Sequence, residues 1–319
     1  MSQTWSELSG AYTNPELSKQ ARMIAWKQAR CYEAVTKASE FNIGKQAGSQ
    51  LSVRLYGRIT TISDTALNEN QKIPFSKASE YTVTATAYRR GLASVWTGTR
   101  ADLDRLDVEN KVIMGLREQG GRTLNKIVYD ALVAARSFCY NALTSSTHGF
   151  TTNGTPSGAA VSDFSMYHLR KMRLYAKKYN MPMADGQNYW FFGSPRIEDG
   201  LMGDVASGGF VDISKYDPSR VAGLLAGEIG KISNTRFVID NDRIADDIGT
   251  GSVYGSGFMV GADAIHEVMV YPMHFRYQPN LGQDFGNQSA IAWQSLSGYK
   301  VVWDYTTHGQ ANYIHYTST

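Results

Sequence analysis

Three short stretches of this sequence come close to spacings that carry chemistry. Gly223–Ile232 has the glycine-then-lysine look of a phosphate loop, in which backbone N–H groups cradle phosphate and a Ser or Thr after the Lys holds magnesium. The glycine before Lys231 does not follow another glycine by five positions, and Ile232 stands where the Ser or Thr belongs. Gly255-Ser256-Gly257 lacks the third glycine of a dinucleotide fingerprint, and its serine is not framed as a nucleophile elbow. His266-Glu267 opens like a zinc-protease motif, but the second His is needed at position 270, which is Val and is followed by Tyr271. None of the three is expected to be a functional site.

The scattered reactive residues add little. The histidines are His148, His168, His266, His274, His308 and His315, with no close helical pair of ligand type, although extended segments could bring His308 and His315 together. Asp240, Asp242, Asp246 and Asp247 cluster without the central Gly and terminal Glu of a calcium loop, which reads as a solvated loop. Cys31 and Cys139, the two cysteines, cannot build a disulfide framework or a Cys-rich metal site and read as small core residues on helices. The expectation is therefore no catalytic residue, no metal and no cofactor.

Composition sets the frame in which any site must sit. With 319 residues and 42% hydrophobic content, the chain can bury the core of one large or two ordinary domains. Thirty-two Lys+Arg against 29 Asp+Glu leave +3, too little to announce a nucleic-acid enzyme or a membrane-surface binder. No apolar run approaches the ~18–20 residues of a spanning helix. Met1–Gly10 lacks the layout of a secretory signal, so a soluble, cytosol-made protein with no membrane partner is expected.

Along the chain, Asn14-Pro15-Glu16 is a helix start, and Leu17, Ala21, Ile24, Cys31, Val35 and Ala38 share a stripe, which predicts a helical arm over 15–40. The period then changes to two: Leu51–Ile59 and Tyr81–Tyr88 alternate, so 51–96 reads as a long two-stranded arm. An isolated hairpin is only marginally stable in water, so the arm needs partners, in its own chain or in others. Helical spacing returns over 100–143, split at Gly120-Gly121, and a Ser/Thr/Gly-rich loop covers 144–162. A helix capped by Ser162 or Asp163 runs to about Tyr179 with Leu169, Met172 and Ala176 inward. Beyond it come a strand at Asn188–Phe192, a helix from Ser194-Pro195, loops at 200–209 and 248–257, strands at 236–240, 258–261 and 267–271, and an extended stretch from Ala290 to Tyr316. Helices and strands do not alternate in regular βαβ units, which predicts α+β.

The one marked charge imbalance lies on the 163–179 helix, where Arg170, Lys171, Arg173, Lys177 and Lys178 follow Asp163 with no further acid. Such a face is either a solvated surface or a surface toward phosphates or an acidic partner. Any contact with DNA would be to the backbone, without sequence preference.

Three local stretches carry a family resemblance: Tyr12-Thr-Asn-Pro-Glu16, Lys72-Ile-Pro-Phe75 and, above all, Leu225-Ala-Gly-Glu-Ile-Gly-Lys-Ile-Ser-Asn-Thr-Arg-Phe-Val238. With the order of elements, they make the chain resemble the major capsid protein of tailed bacteriophages, the Hong Kong ninety-seven-type fold. More specifically it resembles the short-tailed, N-four-like branch, which commonly carries a similar Gly-Glu-Ile-Gly before a strand. The resemblance implies an N-terminal arm over 1–45 and an extended loop over 46–98. It implies a peripheral domain over 99–186 and 263–319, with the 163–179 helix as its long spine, and an axial domain over 187–262.

The same resemblance implies a shell protein that self-assembles through pentamers and hexamers into an icosahedral capsid around double-stranded DNA. It would be assembled in the host cytoplasm and reside in the virion, with a portal and an optional decoration protein as partners. The helix start near Pro15, with Met1 retained, points to a separate scaffolding protein. The Lys–Asn–Glu trio that crosslinks some relatives has no counterpart that can be placed here. Arg54, Arg58, Glu69 and Lys72 become candidate contacts that set register across subunits, each exposed pair contributing ~0–1 kcal/mol. The basic helix residues become candidates to face DNA. The competing readings are an accessory capsid, decoration or DNA-packaging binding protein, and a hydrolase using Asp240 or Asp242.

Overall fold

The computed structural model describes residues 35–36, 50–57, 59, 66–104, 108–135, 137–154, 162–204, 228–232, 234–240, 255–279 and 287–318. In chain order the elements are β1 (Val35–Thr36), β2 (Gln50–Tyr56), β3 (Glu80–Thr86), β4 (Tyr88–Thr97), α1 (Gly98–Leu103), α2 (Val108–Ala134), β5 (Ser137–Thr144), β6 (Thr147–Gly154) and α3 (Met166–Lys178). They continue with β7 (Tyr189–Gly193), α4 (Pro195–Gly203), β8 (Glu228–Ile232), β9 (Thr235–Ile239), β10 (Gly255–Val260), β11 (Ile265–Gln278), β12 (Gln288–Val301), α5 (Tyr305–His308) and β13 (Tyr313–Ser318). Among the described residues the mixture is α+β, with no regular βαβ series.

Among the described residues the largest sheet has seven strands in the order β6-β5-β13-β10-β7-β9-β8, with β5–β13 and β7–β9 parallel and the other pairs antiparallel. Its central strands are apolar on both faces, as a strand covered twice must be. Successive residues turn to opposite sides. Phe191, Met259, Ile314 and Tyr316 meet α3 and α4, while Phe192, Phe258, Val260 and Tyr313 meet Val128 and Leu132 of α2.

The second sheet has the order β1-β11-β12-β4. Two 14-residue strands, β11 and β12, pair antiparallel, with register shifts on either side of Tyr271 and ahead of His274. Pro272, which has no N–H to give to the ladder, sits in that irregular stretch. The first half of α2 lies on this sheet through Val108, Leu116, Trp96, Ile291 and Trp293. At 27 residues, roughly 40 Å, α2 therefore ties the two sheets together.

Several expectations are corrected. Val35–Thr36, placed in the arm helix, form a strand beside Ile265–His266; the rest of the 15–40 helix lies outside the described residues. Residues 51–96 are not one hairpin: β2 pairs with β3, and β4 joins the chain's own β12. The helix over 100–143 is not split at the glycines, because α2 runs through both, and Trp293 Nε1 donates to Gln119 Oε1 at 2.6 Å beside them. A Cβ on Gly120 would stand 2.6 Å from Met273 Cε, so the end of that flexible side chain would have to shift to admit one.

The helix ends at Ala134, and 137–144 is a strand, which places Cys139 on β5 rather than on a helix. Phe138 to Ala142 are all buried, facing both sides of the sheet, a demand that only an extended chain meets. The expected 144–162 loop contains the edge strand β6. The helix expected from Ser162 or Asp163 begins at Met166, whose N–H donates to Asp204 Oδ2 at 2.9 Å, so the carboxylate that complements the helix start comes from beyond α4. Of the loop expected at 200–209, residues 200–203 belong to α4, and of that expected at 248–257, residues 255–257 belong to β10; 205–209 and 248–254 lie outside the described residues.

The longest helix among the described residues is α2, not the 163–179 segment, which spans 13 helical residues and lies on the seven-stranded sheet. That sheet draws β5, β6 and β13 from the ranges expected to be peripheral and β7 to β10 from the range expected to be axial. The boundaries at 186 and 262 therefore do not separate the two sheets.

Candidate interaction surfaces

Where the near-motifs fall on described residues they are strand or core positions; 223–227 lie outside the described residues. Ser256 is buried on β10 between β13 and β7, with Tyr129 Oη 3.2 Å from its Oγ, so it is a strand residue and not an elbow. Glu267 is buried and accepts from Tyr299 Oη at 2.8 Å, while His266 Nε2 lies 3.9 Å from Asp263. Lys231 belongs to the edge strand β8. Asp240 is buried and accepts from the Asn125 side chain, which locks α2 to the end of β9; Asp242, Asp246 and Asp247 lie outside the described residues. Among the described residues no three His, Cys, Asp or Glu gather as a metal would require.

The histidines are structural in their surroundings. His315 is buried against Phe258, whereas His308 stands edge-on to Tyr81 and Trp303, so the extended segments do not give them a shared environment. Burial pushes His315 down to about 3. His168, also fully buried, meets Tyr140 Oη at 3.1 Å; burial and the nearby His148 push it down to about 4. His148 lies between Tyr167 and Tyr175, whose hydroxyls are 3.1 and 3.0 Å from its two ring nitrogens, and stacks on Tyr140. Burial first, then the Lys171 charge, holds its pKa below the ordinary imidazole value. Cys139 is buried with its thiol pushed up to about 11 by burial, which leaves it inert.

The basic helix presents one outer face. Met166, His168, Leu169, Met172 and Ala176 are buried, so the sequence pattern correctly identifies the inner side. Arg170, Lys177 and Lys178 are exposed and Lys171 and Arg173 half-buried. Lys171 sits 5.5 Å from the Tyr167 ring centre and Lys178 5.6 Å from that of Tyr179, within cation–π range. At the middle is Leu174, 55% exposed, with Arg170 and Lys171 four and three residues before it and Lys177 and Lys178 three and four after. Arg173 stands nearer the sheet, where its charge opposes the burial that raises the Tyr189 pKa.

The arm supplies the other surface. At its base Leu51, Ala85 and Ala87 lie on Val268, Val270 and Leu296, so the chain covers one face of the β2–β3 pair itself. Across the opposite face Ser52 Oγ meets Thr84 Oγ1 at 3.0 Å, and exposed Arg54 stands opposite Thr82. Every described residue from 66 to 80 is exposed, including Glu69 and Lys72; Arg58 lies outside the described residues. Sequence reasoning missed the apolar content of this tip as a site. Ile73 is 71% and Phe75 96% exposed, flanking Pro74, although both stood inside the quoted Lys72–Phe75 stretch. The overlooked signal is two large apolar side chains in a stretch with no apolar periodicity to bury them.

Neither a protein-family model nor a curated protein sequence matches this chain. Its fold does have counterparts among solved structures. The chain is similar to the Cyanophage Pam1 capsid asymmetric unit, with a TM-score of 0.66 at 15% identity over 98% of this chain and 97% of that one. It is similar to the capsid structure of Cyanophage P-SCSP1u, with a TM-score of 0.63 at 11% identity over 93% and 90%. The head structure of Helicobacter pylori bacteriophage KHP40 gives 0.61 at 13% identity over 98% and 97%. At these identities the likeness is one of fold: the mixed helix-and-sheet arrangement of this chain matches solved tailed-phage capsid structures over nearly its whole length.

Proposed function

We propose that this chain is a major capsid protein, which assembles with copies of itself through pentamers and hexamers into an icosahedral shell around double-stranded phage DNA. The observation that carries the reading is the exposed tip at 66–80, on a chain whose fold corresponds almost end to end to capsid chains. Phe75 and Ile73 leave apolar surface in water that a neighbouring subunit would cover, at ~25 cal/mol per Å² buried. Arg54, Arg58, Glu69 and Lys72 set the register of that contact, and the repeated head-to-tail interface closes into rings. The role is structural, with no reaction attached.

Within that reading, the four-stranded sheet with the first half of α2 corresponds to the peripheral domain, and the seven-stranded sheet to the axial domain. Residues 1–45 serve as the N-terminal arm. Arg170, Lys171, Arg173, Lys177 and Lys178 face the packaged DNA, contacting backbone alone. The chain works in the virion after assembly in the host cytoplasm, alongside a separate scaffolding protein, a portal and, where present, a decoration protein. The Gly227–Gly230 stretch ahead of β9 supports the N-four-like branch.

Electron microscopy of the chain purified with its phage neighbours tests this. Uniform icosahedral shells built mainly of this 35.3 kDa chain are expected. Small soluble particles, with the shell made of another protein, would overturn it.

A further inference from the structure

The four-stranded sheet carries a row of polar side chains on the side away from α2. Trp293 meets Gln119 of α2, so Gln294, the next residue on β12, turns to the opposite side, where Leu296 lies against the base of the arm. There Arg89 Nη2 of β4 donates to Gln294 Oε1 at 2.9 Å, and Gln294 Nε2 donates to His274 Nε2 of β11 at 2.9 Å. Arg276 Nε donates to the same ring nitrogen at 3.4 Å. His274 Nδ1 lies 3.1 Å from the Pro272 carbonyl, which can only accept, so the ring proton sits on Nδ1 and Nε2 is the acceptor.

This row is short of acceptors. One imidazole nitrogen serves two donors, and the buried Gln294 has its oxygen taken. A guanidinium carries five N–H donors, and each of these two directs a nitrogen at a neutral group. Both arginines are exposed, and among the described residues neither meets a carboxylate.

The opposite condition holds on the arm. Gln71 N–H donates to the Asn68 carbonyl at 2.9 Å and Asn68 N–H to Gln71 Oε1 at 3.3 Å, closing a turn with Glu69 and Asn70 at its corners. Glu69 is exposed, and among the described residues its carboxylate meets no cation.

We propose that Arg89 and Arg276 of one subunit receive the Glu69 carboxylate of a second copy of this chain. Its two oxygens offer about four lone-pair sites, enough for a donor from each arginine, and charge-assisted bonds of this kind are the strong ones. The contact is head-to-tail, arm on sheet, the type that closes into rings. The inference rests on the shell reading and names the surface that the turn of the arm meets.

The test is charge reversal and rescue, read as the yield of shells when the full chain is co-expressed with its phage neighbours, with the melting temperature of the subunit as control. Glu69→Arg alone, and Arg89→Glu with Arg276→Glu, are each expected to lower the yield at least about tenfold, with melting unchanged. Combining all three is expected to restore it. Should the sheet variant fail to fold, Glu69→Arg combined with Arg276→Glu alone carries the rescue. Shells at parental yield from the reversed variants would overturn this pairing and leave the shell reading standing. Loss from the sheet reversal but not from Glu69→Arg would also overturn it, assigning the row to another anion. Loss without rescue overturns it too, and a parent chain that forms no shells overturns both.

Discussion

The seven-stranded sheet and the β2–β3 arm use similar apolar residues and dispose of them in opposite ways. In the sheet, Phe191, Phe192, Phe258 and Tyr316 are fully buried between α3 and α2, and the chain alone completes their surroundings. In the arm, Leu51, Ala85 and Ala87 are covered at the base, but Ile73 and Phe75 near the tip are left in water. One region stabilises the subunit. The other leaves large apolar side chains in water, so on the proposed shell reading sequence changes in the two should separate folding from association.

The sharpest way to break that contrast is substitution at matched aromatic positions. Phe191→Ala should cost the subunit about 3–5 kcal/mol in denaturant unfolding. Phe75→Ser should change subunit stability by no more than about 0.5 kcal/mol while abolishing shells in the electron microscope. If Phe75→Ser also unfolds the subunit, the tip belongs to the fold and the contrast fails.

Next in size is the acid response of the sheet. His168 and His315 titrate at about 4 and about 3, below the ordinary 6.5, so they are neutral when folded and take up protons on unfolding. Their contribution is whole above pH ~6.5 and is lost as pH falls toward 3. Stability curves should therefore fall across that window, and His315→Gln should flatten the fall. A response that is flat in the parent chain would show that these rings are not buried as neutral imidazoles.

Reversal of Arg170, Lys171, Lys177 and Lys178 to Glu should lower DNA filling of particles more than it lowers the melting temperature, because these side chains lie on the outer face of α3. Normal filling would remove α3 as a DNA-facing surface. The smallest effect concerns the paired glycines of α2. Gly121→Ala meets open space and should stabilise by about 0.5–1 kcal/mol. Gly120→Ala pushes into Met273 and should fall short of it by about 1 kcal/mol; equal melting temperatures would show that Met273 yields freely.

What could be read in the sequence follows from the same contrast. The inner face of α3 and the strand at Tyr189–Gly193 were legible because a saturated core imposes its period on the residues that fill it. Ser137–Thr144 was not, because a strand buried on both faces loses alternation and imitates a helix segment. The edge strand β6, rich in Thr and Gly, looks like a loop because its backbone pairing carries it. At the site, the charged residues were visible by their imbalance. Phe75 and Ile73 were missed because their signal is only a missing period: two large apolar side chains in a stretch with no apolar periodicity to bury them.

The central claim is that the tip at 66–80 is covered by a neighbouring subunit, and hydrogen–deuterium exchange tests it most directly. Exchange over this segment would be compared between free subunits and assembled particles. Fast exchange in the subunit and marked protection in the particle is the expected result. Equally fast exchange in both would contradict it, leaving the tip as plain solvent-exposed loop.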